Sequence, residues 1–127
     1  MGVLKNLAPN FTAQAGEAIS AGDAVALGSD GKLYKANAAT GADQQVPCVG
    51  IAETDADAGD YVTVLREGKV GGYSNLTPGA PVYLGETDGA VTATAPSDSG
   101  DYVQTLGQAV SATEFILNIE NVGSTVA

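Results

Sequence analysis

The sequence predicts an all-β fold, a barrel or sandwich of about ten short strands built from two duplicated halves. The first observation is a repeat at an offset of 57 residues, in which Ile19, Gly22, Val25, Leu27 and Gly28 recur as Leu76, Gly79, Val82, Leu84 and Gly85. The second is an Asp-Gly turn dipeptide that follows this pattern in both halves. The third is the lack of any long segment with apolar residues at helical spacing. The recurring residue types specify backbone and core, so they indicate a duplicated scaffold.

Residues 1–14 lie outside the duplication and show no sustained period, which predicts an extended N-terminal arm. The arm carries the apolar side chains of Val3, Leu4, Leu7 and Phe11, and each of them needs a surface that covers it. These four residues are therefore the candidate partner-binding residues. The covering surface belongs either to the same domain or to a neighbouring chain, and the sequence leaves both possibilities open.

Each half then begins with a predicted hairpin. Residues 24–27 alternate in size, as expected of a half-buried strand, and Asp30-Gly31 closes the turn that follows. Residues 81–84 and 90–92 repeat this hairpin around Asp88-Gly89. The repeat predicts that Val25 and Leu27 are buried in one half and that their counterparts Val82 and Leu84 are buried in the other.

The remaining segments complete the predicted organisation. Five further strands are expected at residues 46–52, 61–66, 69–74, 102–109 and 114–120, and exposed loops at residues 37–45 and 95–101. The chain is thus predicted to consist of an arm (1–14), one duplicated β domain (15–120, with halves of about 15–68 and 69–120), and a mobile C-terminal tail (121–127).

The composition disfavours two classes of partner. The formal net charge is −10, from 15 acidic and 5 basic residues, and the basic residues are scattered singly. Because phosphate contacts need clustered Lys and Arg, we expect no nucleic acid partner, and an anionic membrane surface is disfavoured for the same reason. No segment approaches the ~18 apolar residues of a membrane span, and the N-terminus lacks a signal-peptide pattern.

No catalytic, cofactor or metal site is predicted, so we expect the protein not to be an enzyme. The chain contains no His, and its one cysteine, Cys48, lies in an apolar segment where it should pack as a small hydrophobic residue. The usual partners of triad chemistry and the favoured zinc ligands are therefore missing.

Two loops could in principle bind ions. The acidic loop 53–60 carries Glu53, Asp55, Asp57 and Asp60, which offer oxygen ligands for calcium, but Gly59 stands where the EF-hand pattern needs a further ligand. A solvated strand connection is the favoured interpretation. The glycine-rich segment 68–72 lies between strands rather than opening a helix, so we do not expect it to bind phosphate.

Residues 19–28, 49–52, 58–64 and 76–85 together resemble the small decoration, or cement, proteins of tailed-bacteriophage capsids, and the resemblance covers about residues 15–120. It implies a β-tulip-like or barrel-like domain that binds the outer surface of the expanded capsid and stabilises it. It also implies a homotrimer whose arms clamp neighbouring subunits. The implied partners are the major capsid protein and further copies of the chain, and the implied location is the outer surface of the virion, after synthesis in the host cytoplasm.

A binding module of a phage head fibre or tail fibre, with a receptor or glycan site on its loops, is the alternative interpretation. Aromatic side chains at a shared loop edge would favour it, because sugars stack on exposed rings. The tyrosines are instead spread through predicted strands: Tyr34, Tyr61, Tyr73, Tyr83 and Tyr102. The sequence therefore favours the decoration protein.

Overall fold

Two five-stranded antiparallel sheets form the body of the protein in the computed structural model, which describes residues 10–39, 45–119 and 124–125. The first sheet has the order β1-β5-β4-β2-β3 and consists of β1 (Asn10–Gln14), β2 (Ala24–Leu27), β3 (Leu33–Lys35), β4 (Cys48–Ala52) and β5 (Tyr61–Leu65). The second has the order β6-β11-β10-β7-β8 and consists of β6 (Glu67–Gly71), β7 (Pro81–Leu84), β8 (Val91–Thr92), β10 (Thr105–Ala109) and β11 (Glu114–Asn118). A separate pair joins β9 (Tyr102–Val103) to β12 (Ser124–Thr125).

The predicted all-β class is confirmed, and the architecture is a sandwich of two open sheets rather than a closed barrel. The part of the chain that the structure describes contains no helix long and apolar enough to cross a membrane. The two sheets meet at Arg66, which alone separates β5 from β6, so the division between the halves falls slightly before the predicted one.

The duplication extends to the register of the strands. Val25 pairs with Gly50 in the first sheet, and Val82 pairs with Gly107 in the second, both shifted by the 57 residues of the sequence repeat. A register irregularity follows each of these pairs at the equivalent place. Both glycines are required, because a Cβ at Gly50 would overlap the carbonyl oxygen of Leu65 and one at Gly107 would overlap a carbonyl oxygen of β11.

Strand β1 belongs to the first sheet, although its residues were predicted to be part of the arm. Asn10–Gln14 pairs along its whole length with β5, with Phe11 opposite Val64. Its counterpart in the second sheet is β6, where Val70 lies opposite Phe115. The domain therefore includes residues 10–14, and the rest of the predicted arm, residues 1–9, lies outside the described residues.

The two sheets pack on each other through non-equivalent faces. Val82 and Leu84 of the second sheet pack in one core cluster with Ala24 and Ala26 of the first. Val25, the counterpart of Val82, points to the opposite face of its strand and lies in a different core cluster. Equivalent faces of the two sheets therefore point in the same direction, as in a tandem repeat, and not towards each other.

The far face of the first sheet is covered by its own connections instead of a third sheet. Ile19 and Ala56 exchange two backbone hydrogen bonds of 2.8 Å, and Ala15 forms a bridge with Leu33. These residues bury the second core cluster together with Val25 and other strand residues. The acidic loop 53–60 is thus part of a cap, as terminal units of repeat proteins require. Its counterpart in the second half is shorter and leaves the equivalent face of the second sheet free to pack on the first sheet.

One predicted core residue is wrong. Val25, Val82 and Leu84 are fully buried, whereas Leu27 is 43% exposed. Its counterpart Leu84 is covered by the first sheet, but the cap over the first sheet does not extend across Leu27.

The loops and the tail also differ from expectation. The loop predicted at 37–45 contributes Ala38 to the core, and the loop predicted at 95–101 ends in Asp101, which is only 2% exposed. Ala38 and Asp101 are buried because they lie at the junction of the two halves, where the backbone N–H of Tyr102 donates to the carbonyl oxygen of Ala38. Ser124–Thr125, within the predicted mobile tail, forms β12, and the other residues of that tail lie outside the described residues.

Candidate functional site

The four candidate partner-binding residues fall into two groups. Phe11 lies in β1, is half-buried and packs against the second core cluster beside Ala13. Val3, Leu4 and Leu7 lie outside the described residues. Phe11 therefore has a surface of its own chain that covers it in part.

Cys48 is a structural residue, as predicted. Its side chain is fully buried, and its thiol donates a hydrogen bond to the carbonyl oxygen of Gly50 at 3.3 Å. Burial raises the pKa of the thiol to about 12, so the nucleophilic thiolate is scarcely populated at neutral pH.

The side chain of Gln104 joins the halves beside Cys48, and sequence reasoning did not single it out. The backbone N–H of Cys48 donates to Oε1 of Gln104 at 2.8 Å, and Nε2 of Gln104 donates to the carbonyl oxygen of Cys48 at 2.9 Å. Gln104 is fully buried. Its amide thus completes the hydrogen bonding of a first-sheet strand from the second half of the chain.

The carboxylates of the acidic loop hold the loop together. Oδ1 of Asp55 accepts the backbone N–H of Ala21 at 2.8 Å, and Oδ2 of Asp60 accepts the backbone N–H of Asp57 at 3.2 Å. The first of these bonds fastens the loop to the segment that caps the first sheet. This agrees with the predicted strand connection and gives Asp55 and Asp60 a structural role.

A cluster of three carboxyl groups occurs elsewhere, at Glu86, Asp98 and Asp101, whose oxygens lie within 4.8 Å of one another. Oδ2 of Asp101 accepts the backbone N–H of Asp98 at 3.1 Å. A hydrogen bond with Asp101 raises the pKa of the Glu86 carboxyl. No sequence pattern predicts this cluster, because the loop that carries Glu86 meets Asp101 only in the folded sandwich.

Asp88 fastens the second hairpin turn to the first half. Oδ1 of Asp88 accepts hydrogen bonds from Nδ2 of Asn37 at 2.9 Å and from Nε2 of Gln45 at 2.7 Å. These two bonds lower the pKa of the Asp88 carboxyl. The neighbouring Gly89 donates to the carbonyl oxygen of Ala36 at 2.8 Å, so the predicted turn residues also build the junction.

A groove of about 640 Å³ lies between the two halves, lined by residues of β4 and β5 in the first half and of β6 and β8 in the second. Its apolar lining includes Ile51, Leu65, Val70, Tyr73 and Val91, all of which pack against or belong to the shared core cluster. The sequence could not predict it, because the lining residues come from both halves.

The described residues thus present a duplicated scaffold with an open groove, and their one cysteine is inert. The family model for phage cement proteins matches residues 3–115. The chain belongs to the phage cement protein family. Its fold is similar to the head fibre gp8.5 N base of bacteriophage phi29, with a TM-score of 0.52 and 22% sequence identity over 89% of this chain and 96% of that one. The comparison with curated proteins gave no match.

Family membership confirms the resemblance that the strand and turn motifs indicated, and it makes this cement protein a structural component of the phage capsid. Two of the five tyrosines form hydrogen bonds within the domain, whereas Tyr61 is exposed. The hydroxyl of Tyr34 donates to Oδ2 of Asp30 at 2.7 Å, and that of Tyr73 donates to the carbonyl oxygen of Gly22 at 3.0 Å. Both hydroxyl groups therefore serve the fold.

Proposed function

We propose that this cement protein binds the outer surface of the phage capsid, contacts the major capsid protein and stabilises the shell without any catalytic activity. The family match over residues 3–115 is the observation that carries the proposal. The tightly hydrogen-bonded scaffold supports it, since no buried side-chain N or O atom among the described residues lacks a hydrogen-bond partner. Such a rigid body suits a protein that adds strength by bracing its neighbours.

Attachment is assigned to residues 1–9, with Val3, Leu4 and Leu7 as the side chains that enter the capsid surface. Burial of each such side chain contributes about 1.5–3 kcal/mol. A homotrimer would present three of these segments at once, and the effective concentration of the second and third would multiply the affinity of the first. Phe11 then holds the base of the segment against the first sheet.

The test compares capsid binding of the parent with that of a variant lacking residues 1–9. The deletion stops before Asn10 so that β1 is kept, since removal of β1 would uncover Val62 and Val64 of β5. We expect the parent to co-sediment with expanded capsids of its phage but not with immature ones, and the deletion variant to remain folded and unbound. Full binding by the deletion variant would place attachment on the β body.

A matched pair of variants tests the side chains themselves. Leu4→Ser combined with Leu7→Ser should weaken capsid binding strongly, whereas Lys5→Ser combined with Asn6→Ser, in the same segment, should not. Light scattering of the parent should give the mass of a trimer. If the parent binds glycans or host cells and no capsid, the fibre module is the correct function.

A further inference from the structure

Among the described residues, one edge of strand β6 is unpaired, and this edge follows directly on the edge of β5 that pairs with β1. It lies at the end of its sheet, and no described strand pairs with its second edge. A Cβ at Gly68, or at Gly72 just after the strand, would meet no atom within 4 Å, so no described residue covers the sheet at these two glycines. Because only Arg66 separates β5 from β6, the pairing of Asn10 with Leu65 points the preceding residues directly along β6.

The register of this continuation is defined. If the one-to-one pairing of β1 with β5 is extended past Asn10, Asn6 falls opposite Lys69 and Leu4 falls opposite Gly71. Both Lys69 and Gly71 line the groove between the sheets. A strand added at this edge would therefore lie along the groove.

The chemistry of the groove fits that segment. Its apolar lining includes Leu65, Val70 and Tyr73, which are only partly buried by the described residues. In the extended register Val3, Lys5 and Leu7 would share the face of Val70, which lines the groove. Residues 1–9 contain no acidic residue, in a chain whose net charge is −10. The groove is also lined by Asp23 and Glu53, which are complementary to Lys5 and the N-terminal amine.

We propose that residues 1–9 bind in cis along the free edge of β6 and cover the groove between the sheets before the protein meets a capsid. The added strand satisfies backbone groups of an exposed edge, which otherwise invite pairing with other chains. Because the segment is covalently joined to β1 at Asn10, its local concentration at the groove is higher than that of the same segment from a second copy. The proposal goes beyond the proposed function, because it concerns the free protein. On the capsid the same segment would leave β6 and bind the capsid protein.

Trypsin cleavage after Lys5 in the full-length protein tests the docking. Ser74 and Ala21 are exposed residues that line the groove, so Ser74→Trp obstructs it without entering the core, and Ala21→Trp is a second, independent obstruction. Thr77→Trp, at an exposed position outside the groove lining, is the matched control. We expect the parent and the control to be cleaved about tenfold more slowly than the two obstructed variants, since a docked segment is cut only when it opens.

Hydrogen exchange gives a second readout of the same event. The amides of residues 67–72 should exchange faster in Ser74→Trp than in the parent, while urea unfolding midpoints stay equal. Equal cleavage rates in the parent, both obstructed variants and a synthetic peptide of residues 1–12 would overturn the proposal. Protection that rises with protein concentration would also overturn it, because the groove would then hold the segment of a second copy.

The two proposals fail separately. Loss of capsid binding on deletion of residues 1–9 tests attachment, whereas the trypsin and exchange rates are measured without a capsid. If both proposals hold, Ser74→Trp should bind capsids at least as tightly as the parent, because docking in cis competes with attachment.

Discussion

Replacement of Gln104 by Leu should be among the most destabilising substitutions in the protein. Gln104 is fully buried, and its side chain pairs with both the N–H and the carbonyl oxygen of Cys48, at 2.8 and 2.9 Å. Leu has a similar volume, so the substitution leaves little cavity. It does leave two buried backbone groups without these partners.

The expected magnitude follows from those two groups. Each buried polar group that loses its partner lowers the free energy of unfolding by about 1–3 kcal/mol. Gln104→Leu should therefore lower it by about 2–6 kcal/mol. Because the free energy of unfolding of such domains is about 5–15 kcal/mol, the variant should be severely destabilised or fail to fold at 25 °C.

Urea unfolding followed by circular dichroism measures the effect. Gln108→Leu is the matched control: its Nε2 donates to the carbonyl oxygen of Gly79 at 2.9 Å, but the residue is exposed and water can replace it. The free energy of unfolding of the control should be no more than about 1.5 kcal/mol below that of the parent. If the free energies of unfolding of the two variants agree within about 0.5 kcal/mol, the view that the Gln104 amide joins the halves is wrong.

Three further predictions concern the scaffold. Gly107→Ala should destabilise the protein by about 1–3 kcal/mol or more, because its Cβ overlaps the carbonyl oxygen of Ile116; exposed Thr105→Ala, measured in the same urea series, should stay within about 0.5 kcal/mol of the parent. The lowered pKa of Asp88 means that its contribution to stability is present above the unfolded-state pKa and is lost as pH falls through the folded-state value. Asp88→Asn should therefore lower the urea unfolding midpoint at pH 7, and this effect should shrink as the pH falls below the unfolded-state pKa of 3.8; an effect that does not change with pH would contradict this. A thiol reagent at pH 8 should leave Cys48 unmodified in the native protein and modify it in urea, and rapid native modification would contradict its burial.

Local patterns were enough to predict most of the strands, the hairpin turns and the duplication. Alternating side chains and Asp-Gly turns act within a few residues, and the repeat of 57 residues required no knowledge of contacts. Gly50 and Gly107 could be matched in the sequence because each is needed where two backbones approach closely. The motifs around these elements were also sufficient for the family.

The placement of β1 could not be derived in the same way. Phe11 has no recognisable counterpart in the sequence, because the equivalent position is Val70 of β6 and the offset of the repeat has changed there. Hydrogen bonding to β5, which lies about fifty residues further along the chain, makes it a sheet strand. Gln104 and Asp88 likewise acquire their partners only when the halves meet.

Sequence alone determined which residues alternate along each strand, whereas the tertiary structure decided which face of each sheet is covered and by what. A period of two separates two faces but does not say which neighbour packs on either. Leu27 and Leu84 occupy equivalent positions, yet only Leu84 is buried, because its face rests on the first sheet. The two halves differ in the length of one loop. The long loop 53–60 caps the first sheet, whereas its shorter counterpart in the second half leaves the second sheet free to pack on the first.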